Sequence, residues 1–134
     1  MNAVKIILLI AVLVVSIVAL VLHLTKAITE PADKFLTLLR EGRMQDAYNA
    51  THSKFRNLTN QQAFDELIRA NQFERNIGSE WSTRRLKNGY GQLIGSILLA
   101  GNAKVPVTFL FEKEGDEWRI TTLKIHSGDT GEEN

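Results

Sequence analysis

Apolar positions in this chain follow three successive patterns, and each marks a different kind of segment. From Ile6 to Leu22 the run is 17 residues long and Ser16 is its only polar side chain. Lys5 stands before it, and His23 and Lys26 follow. As a helix, Val4 to Leu24 spans roughly 31 Å, enough to cross a hydrocarbon core of about 30 Å. Every backbone N–H in lipid must be satisfied within its own segment, so the run is expected to be one helix.

Two other fates compete with a retained anchor. A cleaved secretory signal would need a small-x-small site, and Thr25-Lys26-Ala27 is a poor one. The run also exceeds the roughly 7–15 apolar residues of a signal core. A buried core helix would need a larger protein around it. Lipidation is closed as a route, because the chain has no Cys and its second residue is Asn2. For orientation, a count of Lys and Arg sets Lys5 against Lys26, Lys34, Arg40 and Arg43 and favours a cytoplasmic domain. Against that count, Lys5 abuts the membrane behind a very short leading tail, as in signal anchors, and the reading adopted is an extracytoplasmic domain. Residues 1–27 are thus the anchor and its linker, and lipid is the first expected partner, through Val4 to Leu24.

Helical spacing returns after the anchor. Pro31 suits the first turn of a helix, where its missing N–H costs nothing. Ala32, Phe35, Leu36 and Leu39 then recur on one face, and Gly42 is a natural residue to end it. A second helix over residues 44–51 gathers Met44, Ala47 and Tyr48. The third is announced by Thr59-Asn60-Gln61-Gln62, a capping box, with Leu58 placed to staple against Ala63. Phe64, Leu67 and Ile68 form its stripe.

Beyond Gly78 the period falls to two. Asn88-Gly89, Gly101-Asn102 and Glu114-Gly115-Asp116 are turn signals. They separate four expected strands, at residues 80–87, 90–100, 104–113 and 117–126. In the third, Val105, Val107, Phe109 and Phe111 share one face. In the fourth, Trp118 and Ile120 have one parity while Leu123 and Ile125 have the other, so a bulge near Thr121-Thr122 is expected. Gly91 and Gly95 permit strong bending of the second strand, and Pro106 belongs at a bulge or strand end. The fold class is therefore α+β: a transmembrane helix, then three helices packed on a curved four-stranded antiparallel sheet. Phe35, Leu39, Phe64, Leu67, Val107, Phe109, Trp118 and Ile120 are its expected core.

Composition narrows the partners. Only Lys5 and Lys26 of the 16 Lys and Arg precede residue 28, leaving 14 basic against 15 acidic residues beyond it. A near-neutral domain offers no strongly basic face for nucleic acid. The absence of Cys excludes disulfides, thiolate metal sites and cysteine nucleophiles. Residues 28–126 are one domain's worth of chain, and residues 127–134 (SGDTGEEN) read as a disordered acidic tail.

Two stretches carry a resemblance. They are the opening "PADKFLTLLREGRMQDAYNATHSKFRNLTNQQAFDELI" and the later "GQLIGSILLAGNAKVPVTFLFEKEGDEWRITTLKI". Within them "F-x-x-x-L-x-x-G-x-x-x-x-A-Y", "S-x-F" and "K-E-G-x-x-W-x-I" are similar to the nuclear transport factor 2-like (cystatin-like) superfamily. More closely, they resemble small bacterial domains of unknown function that follow a signal or a single anchor helix. The resemblance implies a cone of helices inside a bent sheet over residues 28–126. It implies no single activity, because the superfamily hosts isomerases, dehydratases, carriers, secretion scaffolds and binding modules.

Enzymes of that superfamily place an Asp with a Tyr or His inside the cone. Here a deep pocket holding His52 or Asp46 beside Tyr48 or Tyr90 would favour chemistry. His52, however, reads as part of a solvated connection and Asp46 as a surface residue near Arg43. No His-x-His, His-Glu-x-x-His or carboxylate cluster is present, so no metal or cofactor is expected. The interaction surface is placed instead at Trp81, Arg85, Lys87 and Tyr90. Arg85 and Lys87 share a strand face while Arg84 takes the other. They are expected to meet acidic partners or anionic headgroups near the membrane, or to protect an edge strand. The expected function is a membrane-anchored, non-catalytic interaction or scaffold module of the bacterial envelope, bound to an unidentified protein within a membrane assembly. The alternative is a small-molecule-binding or enzymatic cone.

Overall fold

The structure, a computed structural model, describes residues 2–126, apart from the side chains of residues 21 and 22. The expected acidic tail, residues 127–134, lies outside the described residues. Helix α1 runs without interruption through Ala3–Arg40, 38 residues. Asn2 caps it by accepting from the Lys5 backbone N–H at 3.0 Å. Within the apolar run the Ser16 hydroxyl donates back to the Val12 carbonyl at 2.9 Å, so the one polar side chain there is satisfied inside the helix.

A separate helix starting at Pro31 is not what forms. Pro31 lies inside α1, so the anchor and the first domain helix are one rod. Proline removes the bond to the Ala27 carbonyl. Ala27 is exposed, so water can take that bond's place. Burial changes abruptly along the rod: residues 3–20 are all exposed, Leu24 is still 55 % exposed, and Thr25 is 6 % exposed. Ile28, Ala32, Phe35, Leu36 and Leu39 are then buried. The rod ends in a Schellman motif, with Gly42 at φ 78°, its N–H on the Leu39 carbonyl and the Arg43 N–H on the Leu38 carbonyl.

Three short helices follow: α2 Met44–Asn49, α3 Ser53–Leu58 and α4 Gln61–Ala70. The sequence pattern anticipated three domain helices, and α3 is the one it lacked. Helix α4 is capped by Asn60, which accepts from the Ala63 N–H at 2.8 Å, whereas Thr59 ends α3. The expected staple is absent as well: Leu58 is 88 % exposed. A 3-10 turn at Phe73–Arg75 leads into the sheet.

The sheet is an antiparallel meander of β1 Asn76–Lys87, β2 Tyr90–Leu99, β3 Ala103–Glu114 and β4 Glu117–Ile125, in that spatial order. Strand β4 holds the expected bulge. Leu110 faces Thr122 while Phe111 faces Ile120, so Thr121 is the extra residue and Leu123 and Ile125 return to the face of Ile120. The Pro106 carbonyl accepts from the His126 N–H just past the end of β4, so its missing donor falls where pairing stops. Strand β1 carries a second shift, between Trp81 and Thr83, opposite Gly95.

Aromatic rings fill the concave side. Phe109 touches Phe35, Trp81 and Phe111, and Phe64 continues the cluster to Phe35, Phe55 and Tyr48, with centroids 5.3–6.2 Å apart along these contacts. Of the expected core, Leu67 and Trp118 are only half-buried. One polar group joins the interior: the Asn76 side chain donates to the Leu36 and Phe73 carbonyls, and Arg40 donates to its backbone and side-chain oxygens at 3.0 and 2.9 Å. That clasp ties the end of α1 to the start of β1.

Candidate functional site

Pairing of β1 with β2 decides which side chains meet. Arg85 lies opposite Gln92 and Lys87 opposite Tyr90, while Arg84 lies opposite the buried Leu93. Arg85 and Lys87 therefore share the outer face and Arg84 the inner one, as strict alternation requires. Tyr90 is 62 % exposed and is also in register with Glu112 of β3. Together with Lys54, Leu58 and Leu110, these residues border an open groove of about 440 Å³ on the outer face.

Trp81 does not join them. The extra residue at Ser82 shifts its parity, so Trp81 faces Gly95 on the inner side and packs on Phe109 with centroids 5.3 Å apart. It is half-buried, and among the described residues its indole N–H has no acceptor. Three of the four expected surface residues are thus brought together and the fourth serves the interior. Gly95 was the sequence signal for this bulge, since a Cβ there would collide with the Glu80 carbonyl.

Charge in the outer groove is partly neutralised. The Lys54 ammonium donates to Glu112 at 2.6 Å, and that hydrogen bond and charge hold the lysine above its ordinary pKa. At the adjacent β3–β4 turn, the Ser53 hydroxyl and N–H bond Glu114 and lower its carboxyl below the usual value. Arg119 pairs with Glu117 at 2.6 Å.

A second, polar groove of about 440 Å³ lies between α1 and β1, bordered by Thr25, Thr29, Asp33, Ser79, Trp81 and Arg84. Asp33 is exposed as a residue, yet its carboxyl is partly shielded there. This desolvation raises its pKa, against the Ser79 hydroxyl, which donates at 3.3 Å, and the charges of Arg40 and Arg84. The alternation pattern gave no sign of this groove, because Asp33 sits on α1 and Ser79 precedes the expected start of the strand.

The residues considered for chemistry are dispersed. Asp46 is paired with Arg43 at 2.8 Å on the surface. The Tyr48 hydroxyl donates to the Thr59 carbonyl at 2.7 Å. His52 is buried rather than solvated: its Nδ1 accepts from the Lys54 N–H at 3.0 Å to cap α3, and its Nε2 lies 3.3 Å from the Lys113 carbonyl. The sequence missed this role, since histidine is not among the favoured N-caps. Among the described residues, no group of three His, Cys, Asp or Glu is placed to hold a metal.

No family model matches the sequence, and no curated protein matches it either. Among solved structures, a designed nuclear transport factor 2-like protein is similar, with a TM-score of 0.56 and 18 % identity over 73 % of this chain and 96 % of that one. At that identity the likeness concerns the backbone alone. The four-stranded meander curled over its helices accordingly has the nuclear transport factor 2-like fold.

Proposed function

We propose that this protein is a single-pass membrane-anchored interaction module, with its domain on the extracytoplasmic side and without catalysis of its own. The observation that carries this reading is the continuity of α1. Residues 6–20 are exposed and, apart from Ser16, apolar, and from Thr25 onward the same rod is the core helix of the domain. An exposed apolar stretch of that length needs a covering, and a bilayer supplies one of matching thickness. The domain is then held at the membrane with no flexible joint. Its aromatic interior favours a scaffold over a carrier, which would need a cavity with convergent polar groups. A protein partner within a membrane assembly would seat on the outer groove at Leu58 and Leu110, away from the hairpin tip. A second reading, a small polar ligand in the α1–β1 groove, is favoured by the shielded Asp33 carboxyl beside Ser79 and Arg84.

The cysteine-free chain allows a direct test. Ala100 is exposed at the β2–β3 turn, so Ala100→Cys gives one reporter thiol. An impermeant maleimide is expected to label it in intact cells, with the product in the membrane pellet. Labelling only after lysis, still in the pellet, would keep the anchor and reverse the orientation. Product in the soluble fraction would remove the anchor.

A further inference from the structure

The anchored reading leaves open what the basic end of the domain meets. We propose that the β1–β2 hairpin docks tip-first on anionic headgroups of the same bilayer that α1 spans. This inference rests on α1 being a membrane anchor.

The first support is position. Strand β1 runs back along α1 toward the apolar run: Asn76 meets Leu36, Ser79 meets Asp33, and Gly91, paired with Leu86, meets Ile28. Ile28 is four residues past Leu24, about 6 Å along the rod. The headgroup layer is itself roughly 5–7 Å deep on each side of the hydrocarbon. Because α1 is continuous, that height is fixed, and the turn at Asn88-Gly89, two residues beyond the Gly91–Leu86 pair, is held against the headgroups.

The second support is the distribution of charge. Arg84 lies on the inner face of the hairpin, and Arg85 and Lys87 on the outer. A partner docking on one face would reach one parity only. A planar anionic surface meeting the tip would face positive charge on both sides of the hairpin, Arg85 and Lys87 bordering the outer groove and Arg84 the α1–β1 groove beside Asp33. Among the described residues, none of the three is in an ion pair with an acidic side chain. Of the acidic groups at the neighbouring β3–β4 strand ends, Glu112 is paired with Lys54 and Glu114 and Glu117 with Arg119, while Asp116 at the turn is in no ion pair among the described residues. Tyr90, exposed beside Lys87, has the amphipathic ring that favours the membrane interface.

The test uses the full chain in nanodiscs of phosphatidylcholine alone and of phosphatidylcholine mixed with phosphatidylglycerol, followed by amide hydrogen exchange. Exchange at residues 84–91 is expected to slow by roughly 30- to 150-fold in the anionic discs, a size set by two or three basic residues at an anionic surface at about 1 kcal/mol each. Exchange at residues 100–103, at the far end of the sheet, should be the same in both. The double variant Arg85→Glu, Lys87→Glu should insert equally well and lose the difference. Equal exchange of the wild type in both lipids, or slowing that survives the double reversal, would overturn the proposal and return these cations to a protein partner. Failure of the wild type to enter either disc would instead count against the anchor.

Discussion

Ile28 fills the space that a side chain at Gly91 would occupy: a Cβ built on Gly91 would stand 2.7 Å from Ile28 Cγ2. This contact is where the helix leaving the apolar run locks onto the sheet. Gly91→Ala should therefore cost about 1–3 kcal/mol through overpacking. The loss should shrink when Ile28→Ala makes room, giving a coupling of roughly 0.5–3 kcal/mol in a double-mutant cycle followed by denaturant unfolding. Additive losses would show that the two residues do not share this space.

Gly95→Ala should be the more damaging glycine change. Its Cβ would meet the Glu80 carbonyl and Trp81 Cα, which are backbone atoms of the bulged strand and cannot rotate aside. The added methyl must unpair β1 from β2 locally, and amide exchange should accelerate around Ser82. A variant with wild-type exchange there would deny the bulge.

Phe109 is fully buried at the centre of the aromatic cluster, against Phe35, Trp81 and Phe111. Phe109→Ala should destabilise the domain by about 3–5 kcal/mol in denaturant unfolding. A loss under about 1 kcal/mol would place Phe109 on the outer face and break the register.

The parts of this fold legible in the sequence were those where one period dominates. The 17-residue apolar run, the three turn signals and the parity break at Thr121-Thr122 each have a single local cause. What was not legible depended on compensation at a distance. Pro31 reads as a helix start because its lost bond is counted locally, yet exposed Ala27 tolerates that loss inside a longer rod. Helix α3 is six residues long with Phe55 as its buried residue, and its cap is a histidine anchored to β3. Trp81 follows the parity of Arg85 and Lys87 on paper, and only the bulge opposite Gly95 turns it inward. The candidate surface was therefore legible in its charges and not in its aromatic member. Asn76 carried no pattern, because three of its four hydrogen bonds, to Leu36 and from Arg40, join elements that only the tertiary structure brings near.

Two carboxyls should give opposite slopes in acid. Burial raises Asp33 above its ordinary value of 3.8, so the native state holds more protons than the unfolded chain just above that pH. Its contribution to stability therefore falls as pH rises through that window, and Asp33→Asn should remove the loss. The Ser53 bonds lower Glu114 below its ordinary value of 4.5, so its contribution is present above that pH and is lost as pH falls through the native pKa. Glu114→Gln should flatten that acid limb. Thermal unfolding of the two variants against wild type from pH 3 to 7 is the check, and slopes of the same sign would contradict these environments.

The central claim is that one unbroken helix is both membrane anchor and domain core. The most direct measurement is the intact mass of the full-length protein recovered from membranes after alkaline carbonate extraction. The account predicts that the protein stays in the pellet with residues 3–24 still attached. A soluble mature chain beginning near Ile28 would contradict it.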